Sequence, residues 1–405
     1  MSLPRTPDTY DTDCGQARRR PQHCRAALPV FDPVVDKDED DVSDELAMMP
    51  ISATRREVLA QPEVVAGVVR DQAAAVRELA QVLAARGTRH VALIGSGDSW
   101  FAGMACRMAF EQYAGVAIEA LQAYEYAAYG HAAFDTTTAA VLISSSGRPT
   151  TTWDALDRAL ATPAYVIGIT DNPYAGNPFS EKVHTALIPR GAKVGWPAQT
   201  TTATIAVLIA LAIELGRARG HLADAVADQL TTELHSTVDA MAEALKRGDA
   251  WAAAHVPQLL AGGQRRIYTF VGSGPGLGVA YNGMALLAEG PQEVGIAITV
   301  EEFHHGLHIA TIAQEDVVVL IAPSGAADSR LLDTARSVTT WGSRLLALVG
   351  PGDTAIRALA ADLLELPAAP EPMTPLLYLM PLHQLSIHLA QQKVDHGYAR
   401  PQQVP

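Results

Sequence analysis

Two clusters in the 405-residue sequence carry side chains suited to gripping an anion or moving a proton. The first is Ser144-Ser145-Ser146-Gly147-Arg148-Pro149-Thr150-Thr151-Thr152, which follows an apolar run and opens a helical pattern. Its serines and threonines exceed what one helix cap requires, and hydroxyls with free amides at a helix start cradle a phosphate without net positive charge. A companion turn, Gly95-Ser96-Gly97-Asp98-Ser99, also ends an apolar run and turns Ser99 toward the same crevice. Read alone, that turn serves equally as a capped strand-to-helix junction, and Arg148 reads either as a charged phosphate contact or as a surface residue.

The second cluster is Glu289, just before Gly290-Pro291, with Glu301-Glu302-Phe303-His304-His305-Gly306. A carboxylate and an imidazole are the minimum set for moving protons between adjacent carbons, although Glu289 by itself also fits a solvated helix end. Adjacent histidines rarely converge on one ion and no third ligand is apparent, so no metal is expected. The dinucleotide fingerprint fails because Ser99 and Trp100 stand where it would continue; a nicotinamide enzyme is not expected, and no cofactor is implied.

These groups need elements to hold them. Short apolar runs at 91–94, 139–143, 165–169 and 186–188 alternate with helical stretches, which indicates a parallel sheet covered on both faces. A helical pattern starts near Thr54 and ends at Arg86-Gly87; further helices are expected at 200–215 and 222–245, with 203–211 as a core stripe. The tryptophans read as core, Trp196 excepted because it sits in a glycine-rich loop. Ligands of such sheets collect beyond the carboxyl ends of the strands, where the first cluster lies.

The series then recurs. Gly97 and Gly274 stand 177 residues apart, Gly147 and Gly325 178, the runs at 165–169 and 345–349 180, and Pro189 and Pro367 178. One offset held by four landmarks predicts two copies of an α/β unit. The expected architecture is α/β, with two tandem domains, each a parallel sheet flanked by helices: a disordered leader at 1–48, an N-terminal domain at 49–248 and a C-terminal domain at 249–405. The second copy has Ala322-Pro323-Ser324-Gly325 in place of the serine cluster, so phosphate binding is assigned to the first.

Composition bounds the partners. With 48% hydrophobic and 18% charged residues the chain can bury substantial cores. Its 30 Lys and Arg against 44 Asp and Glu, a net charge of -14, leave no global field for nucleic acid. Cys14, Cys24 and Cys106 form no CxxC pair and suggest a reducing compartment. No run reaches the roughly 18 apolar residues of a membrane span and the Arg-rich start lacks a secretory core, so a cytoplasmic protein without a membrane partner is expected.

Together the motifs resemble the sugar isomerase (SIS) family, in particular the isomerase half of its glutamine:fructose-6-phosphate aminotransferases, over about residues 49–401. The family's opening element is similar to Arg56-Glu57-Val58-Leu59-Ala60-Gln61-Pro62, its Gly-Thr-Ser-Tyr turn to Gly97-Asp98-Ser99-Trp100, and its Ser-Gln-Ser-Gly-Glu-Thr phosphate loop to residues 144–149, with Thr150 as a shifted threonine. Its Glu-Ile-Gly-Val-Ala-Ser-Thr-Lys segment resembles residues 193–200, where only the glycine is kept. The catalytic glutamate falls on Glu289 and the ring-opening histidine on His305, sixteen residues on as in the family.

The resemblance implies a hexose or hexosamine 6-phosphate held by Ser99, Ser144, Ser145, Ser146 and Thr150. Glu289 would shuttle a proton between C1 and C2, and His305 would assist ring opening from the neighbouring subunit of a homodimer with sites near the interface. The family's glutaminase nucleophile is an N-terminal cysteine, whereas Met1-Ser2-Leu3 stands here, so any nitrogen chemistry is expected to use free ammonia, release it, or require a partner subunit. The family's tail lysine, which forms an imine with the ketose, has no counterpart; Lys393 on the last helix is the nearest substitute. The expected reaction is ketose-aldose isomerisation coupled to release or addition of an amino group, and the alternative is a non-catalytic SIS module that binds a sugar phosphate and regulates a partner.

Overall fold

The computed structural model describes residues 51–130, 134–261, 266–306, 308–360 and 362–397. The expected leader at 1–48, Cys14, Cys24 and the tail from Arg400 lie outside the described residues, which all fall in one compact unit.

Two helices, α1 (Ile51–Asp71) and α2 (Ala73–Ala85), precede the first sheet. The first lobe then runs β1 (His90–Gly95), α3 (Asp98–Ala109), β2 (Ala117–Gln122), α4 (Ala123–Tyr129), β3 (Thr138–Ile143), α5 (Thr151–Leu160), β4 (Tyr165–Ile169), α6 (Pro178–Glu181), β5 (Thr185–Leu187) and α7 (Gln199–Ala218). After α8 (Asp224–Leu259) the second lobe runs β6 (Ile267–Gly272), α9 (Pro275–Glu289), β7 (Val294–Thr299), α10 (Val300–His305), β8 (Val317–Ala322), α11 (Asp328–Trp341), β9 (Arg344–Val349), α12 (Thr354–Arg357), β10 (Asp362–Glu365) and α13 (Pro375–Asp395).

Both sheets are five-stranded and parallel, with orders β2-β1-β3-β4-β5 and β7-β6-β8-β9-β10. The orders are equivalent, and each reverses direction between its first and third strand in sequence, the switch point where open α/β sheets present a crevice. Central strands such as β3 and β8 are buried along their whole length, because helices cover both faces. The edge strands β2 and β7 are partly exposed, which is why their mixed sequences read poorly as strands.

α7 is apolar and long enough to cross a membrane by length and composition, yet it is a buried core helix, packed against α1, α2, α3 and α8. Residue 248, the expected domain boundary, lies inside α8. A Cβ on Gly248 would come 2.6 Å from Cα of Pro381, so this glycine lets α8 and α13 pack closely. α8 also packs on α1 and α7 and thereby belongs to both lobes.

The lobes meet through α3 and α9. A Cβ on Gly278 would stand 2.5 Å from the Ala105 amide nitrogen, so the helices touch backbone to backbone there. Tyr281 of α9 adds ring contacts to Trp100 and Phe101 of α3, with centroids 5.8 and 5.4 Å apart.

Candidate active site

The loops after β1 and β3 flank the first switch point and open on a cavity of about 220 Å³. Every predicted site residue except His305 lines it: Ser99, Ser144, Ser145, Ser146, Thr150 and Glu289. Asp98, Lys193, Thr200, Thr201 and Thr204 complete the polar wall.

The phosphate-type loop is held from below. Gly147 has φ +63°, and a Cβ there would overlap the Asn177 side chain, so glycine is required on both counts. Trp153 Nε1 and Tyr174 Oη both donate to its carbonyl, at 3.0 and 2.8 Å. Thr150 is the N-cap of α5, its hydroxyl accepting from the Thr152 amide at 3.3 Å, and it lines the cavity as well; the capping and binding readings are both met. Arg148 is exposed and lines an adjoining cavity of about 510 Å³ rather than this one.

The loop carrying Lys193 is tied down by α1. Glu57 accepts from the amides of Val194 and Gly195 at 2.6 and 3.3 Å, and Thr54 Oγ1 accepts from the Trp196 amide at 3.1 Å. The motif at 56–62 therefore braces the wall of the site from outside. Trp196, expected to be an exception, is fully buried; its Nε1 donates to Ser386 Oγ at 3.1 Å and its ring would sit 2.9 Å from a Cβ on Gly290. It supports the turn that ends α9 directly after Glu289.

The electrostatics concentrate on three groups. Burial pushes Asp98 up to about 7, the facing Glu289 carboxylate adds to the rise, and the Lys193 ammonium opposes it. Glu289 is raised by burial against the same lysine charge. Thr201 is among the residues lining the cavity, and its Oγ1 is buried without a hydrogen-bond partner among the described residues.

His305 does not line the cavity of its own chain. α10 docks through Val300 and Phe303 into the second lobe's core, His304 hydrogen-bonds Thr334 Oγ1 at 2.9 Å, and His305 is left exposed at the helix end. Lys393 is also elsewhere, donating to the Pro291 carbonyl at 2.5 Å and pairing with Glu293 at 2.9 Å. Lys193 is the lysine that lines the cavity.

The resemblance at 193–200 marked the segment that holds Lys193 and Thr200 but gave neither a role, and Thr201 and Thr204 were missed. The available signal for them was the run Thr200-Thr201-Thr202 with Thr204 at a helix start, obscured by the apolar stripe that follows.

Residues 70–214 match the SIS domain model. The glutamine–fructose-6-phosphate aminotransferase (isomerizing) of Bacteroides thetaiotaomicron is 27% identical over 300 residues, covering 74% of this chain and 48% of that protein. The chain thus spans about half the length of the curated relatives it matches. Among solved structures, the C-terminal domain of glucosamine-fructose-6-phosphate aminotransferase from Francisella tularensis superposes with a TM-score of 0.75 at 22% identity, over 84% of this chain and 96% of that one. Glucosamine-6-phosphate deaminase from Thermotoga maritima gives 0.66 at 16% identity, over 86% and 96%. Residues 70–214, which match the SIS domain model, form the first of two α/β lobes built on one strand order.

Proposed function

We propose that the protein is a phosphosugar isomerase acting on a hexose or hexosamine 6-phosphate, with free ammonia released or taken up in the course of a ketose-aldose isomerisation. The observation that carries this reading is one cavity in which a hydroxyl cradle from the first lobe faces a carboxylate from the second. Ser99, Ser144, Ser145, Ser146 and Thr150 hold the phosphate, aided by the amides at the starts of α3 and α5. Glu289 transfers the proton between C1 and C2. The relatives named for aminotransferase and deaminase reactions support the amino-sugar branch.

His305 enters this reading from a second copy of the chain, in a homodimer whose sites lie near the interface. Glu289→Gln lowers turnover by about 10²-fold or more and leaves phosphate binding largely intact; equal loss of both counts against the assignment. His305→Ala is also inactive, and mixing the two variants under exchange conditions restores about a quarter of wild-type activity through hybrid dimers with one complete site. No recovery on mixing removes His305 from the partner's site.

The absence of His305 from the cavity of its own chain favours a second reading, a SIS module that binds a sugar phosphate and regulates a partner. Assays for ammonia release from glucosamine 6-phosphate, and for interconversion of glucose and fructose 6-phosphates, separate the two. Ligand binding with no turnover on either supports the regulator.

A further inference from the structure

Resting on the isomerase reading above, we propose that Asp98 and Glu289 act as an acid-base pair, Asp98 giving a proton to the substrate's carbonyl oxygen while Glu289 takes one from the neighbouring carbon. Both side chains line the same cavity, one from the first turn of α3 and the other from the last residue of α9. The backbone contact at Gly278 and the Tyr281 ring contacts lock those two helices together, so the pair is positioned by packing. A structural role alone leaves Asp98 unexplained. An acidic residue in the first helical turn is stabilised by the helix dipole when ionised, yet here it is half-buried in a cavity that a second carboxylate also lines.

Charge explains the arrangement. Two carboxylates and the Lys193 ammonium line the cavity, and the same ammonium also faces Asp171, whose carboxyl is pushed up to about 6 by burial. One lysine charge is thus shared among three acids, and a proton between Asp98 and Glu289 relieves the excess negative charge. The charged groups on the elements packed against α3 are engaged elsewhere. His90 of β1 and Glu119 of β2 face each other at 3.8 Å at the far end of the sheet. Glu214 of α7 pairs with Arg217 at 3.4 Å, Glu111 with Arg107 at 2.9 Å, and Glu371 accepts from the Ala326 amide at 3.2 Å. Burial raises both carboxyls and the Glu289 charge adds to the rise at Asp98, so the pair retains a proton up to about pH 7; the proposal places that proton on Asp98 and the base at Glu289.

The step balances. Glu289 takes the proton from the carbon beside the carbonyl; the released C–H pair becomes the C=C bond of an enediol, the carbonyl π pair moves to oxygen, and that oxygen takes the Asp98 proton. In the second half Glu289 returns its proton to the former carbonyl carbon, and Asp98 recovers one from the other hydroxyl as the new carbonyl forms. The pair begins and ends with one proton, and no outside acid is needed.

Two measurements on the full chain test this. In a carbon-13 carboxyl titration, Asp98 is expected to titrate near pH 7 and to move down in Glu289→Gln, which removes the neighbouring charge. An ordinary midpoint, or one indifferent to Glu289→Gln, overturns the pair. In the pH-rate profile, wild-type kcat/KM is expected to fall as pH rises through about 7, because the donor form of Asp98 is lost. Asp98→Asn lowers kcat by about 10²-fold and removes that limb, with little change in KM, and Asp98→Glu restores part of it. An Asp98→Asn variant with wild-type rate and limb refutes the inference and leaves the isomerase reading standing. A wild-type chain with no turnover on any hexose phosphate refutes the isomerase reading, and the catalytic role with it.

Discussion

The ends of β1 and β3 open on a hydroxyl-lined cavity, whereas the equivalent ends of β6 and β8 are closed by a carboxylate of the chain itself. Glu371 stands at that second switch point. Its Oε2 accepts from the Ala326 amide at 3.2 Å, Asp328 accepts from the Gly325 amide at 2.7 Å, and a Cβ on Gly325 would overlap the Glu371 carboxylate. Gly274, with φ +53° where the first lobe has Gly97 at +54°, would bring a Cβ to 4.0 Å from Glu371 Oε1. The same backbone device thus faces an open polar cavity in one lobe and an internal anion in the other. A strand-end loop with amides at a helix start has a place for negative charge, and what fills it decides whether the lobe binds or only supports.

The comparison breaks most sharply if the first lobe is made to resemble the second. Ser146→Glu places a carboxylate in the open cradle and is expected to weaken sugar-phosphate affinity by about 10²-fold or more in titration calorimetry; unchanged affinity removes the phosphate from this loop. Thr201→Val has a smaller effect. It removes the buried hydroxyl that lacks a partner, so affinity falls about 10-fold while thermal stability of the free protein holds or rises. A destabilised free protein would show that the hydroxyl has a structural role.

Opening the second lobe sharpens the contrast from the other side. Glu371→Ala strips the anion from the loop amides and is expected to cost about 1 kcal/mol, partly recovered by millimolar sulfate or phosphate in a thermal-shift assay. No recovery by either anion means that the loop has no such preference. The smallest effect expected is on stability against pH. Asp98 has its pKa raised in the folded chain, so the native state holds a proton that the unfolded state has lost between about pH 4 and 7, and stability falls as pH rises through that window. Asp98→Asn therefore raises the melting temperature by a few degrees at pH 8 and leaves it unchanged at pH 4. An equal shift at both pH values would place the effect elsewhere.

The central strands and the loops after β1 and β3 were legible because buried parallel strands are short uninterrupted apolar runs that stop at glycine or serine, as at 91–97 and 139–147. The edge strands β2 and β7 were not, since partial exposure admits Glu119 and Gln122 into one and glycine into the other. The expected division after residue 248 falls inside α8, where Gly248 is a close-packing position. At the site, Glu289 was legible through the family resemblance, which puts it sixteen residues before His305, but spacing along the chain did not show that His305 lies outside the cavity that Glu289 lines. Lys193 and Thr201 were hidden for a different reason: their place depends on α1 pinning the loop at 193–196, a contact between residues about 140 positions apart.

The claim that one lobe grips the phosphate while the other moves the proton is tested most directly by hydrogen exchange into the substrate. Wild-type protein incubated with fructose 6-phosphate in deuterated water is expected to place deuterium on C1, read by proton NMR, while Glu289→Gln binds the sugar phosphate with near wild-type affinity and places none. Exchange that persists at the wild-type rate in Glu289→Gln, or that never occurs in a wild-type chain with bound ligand, would contradict the account.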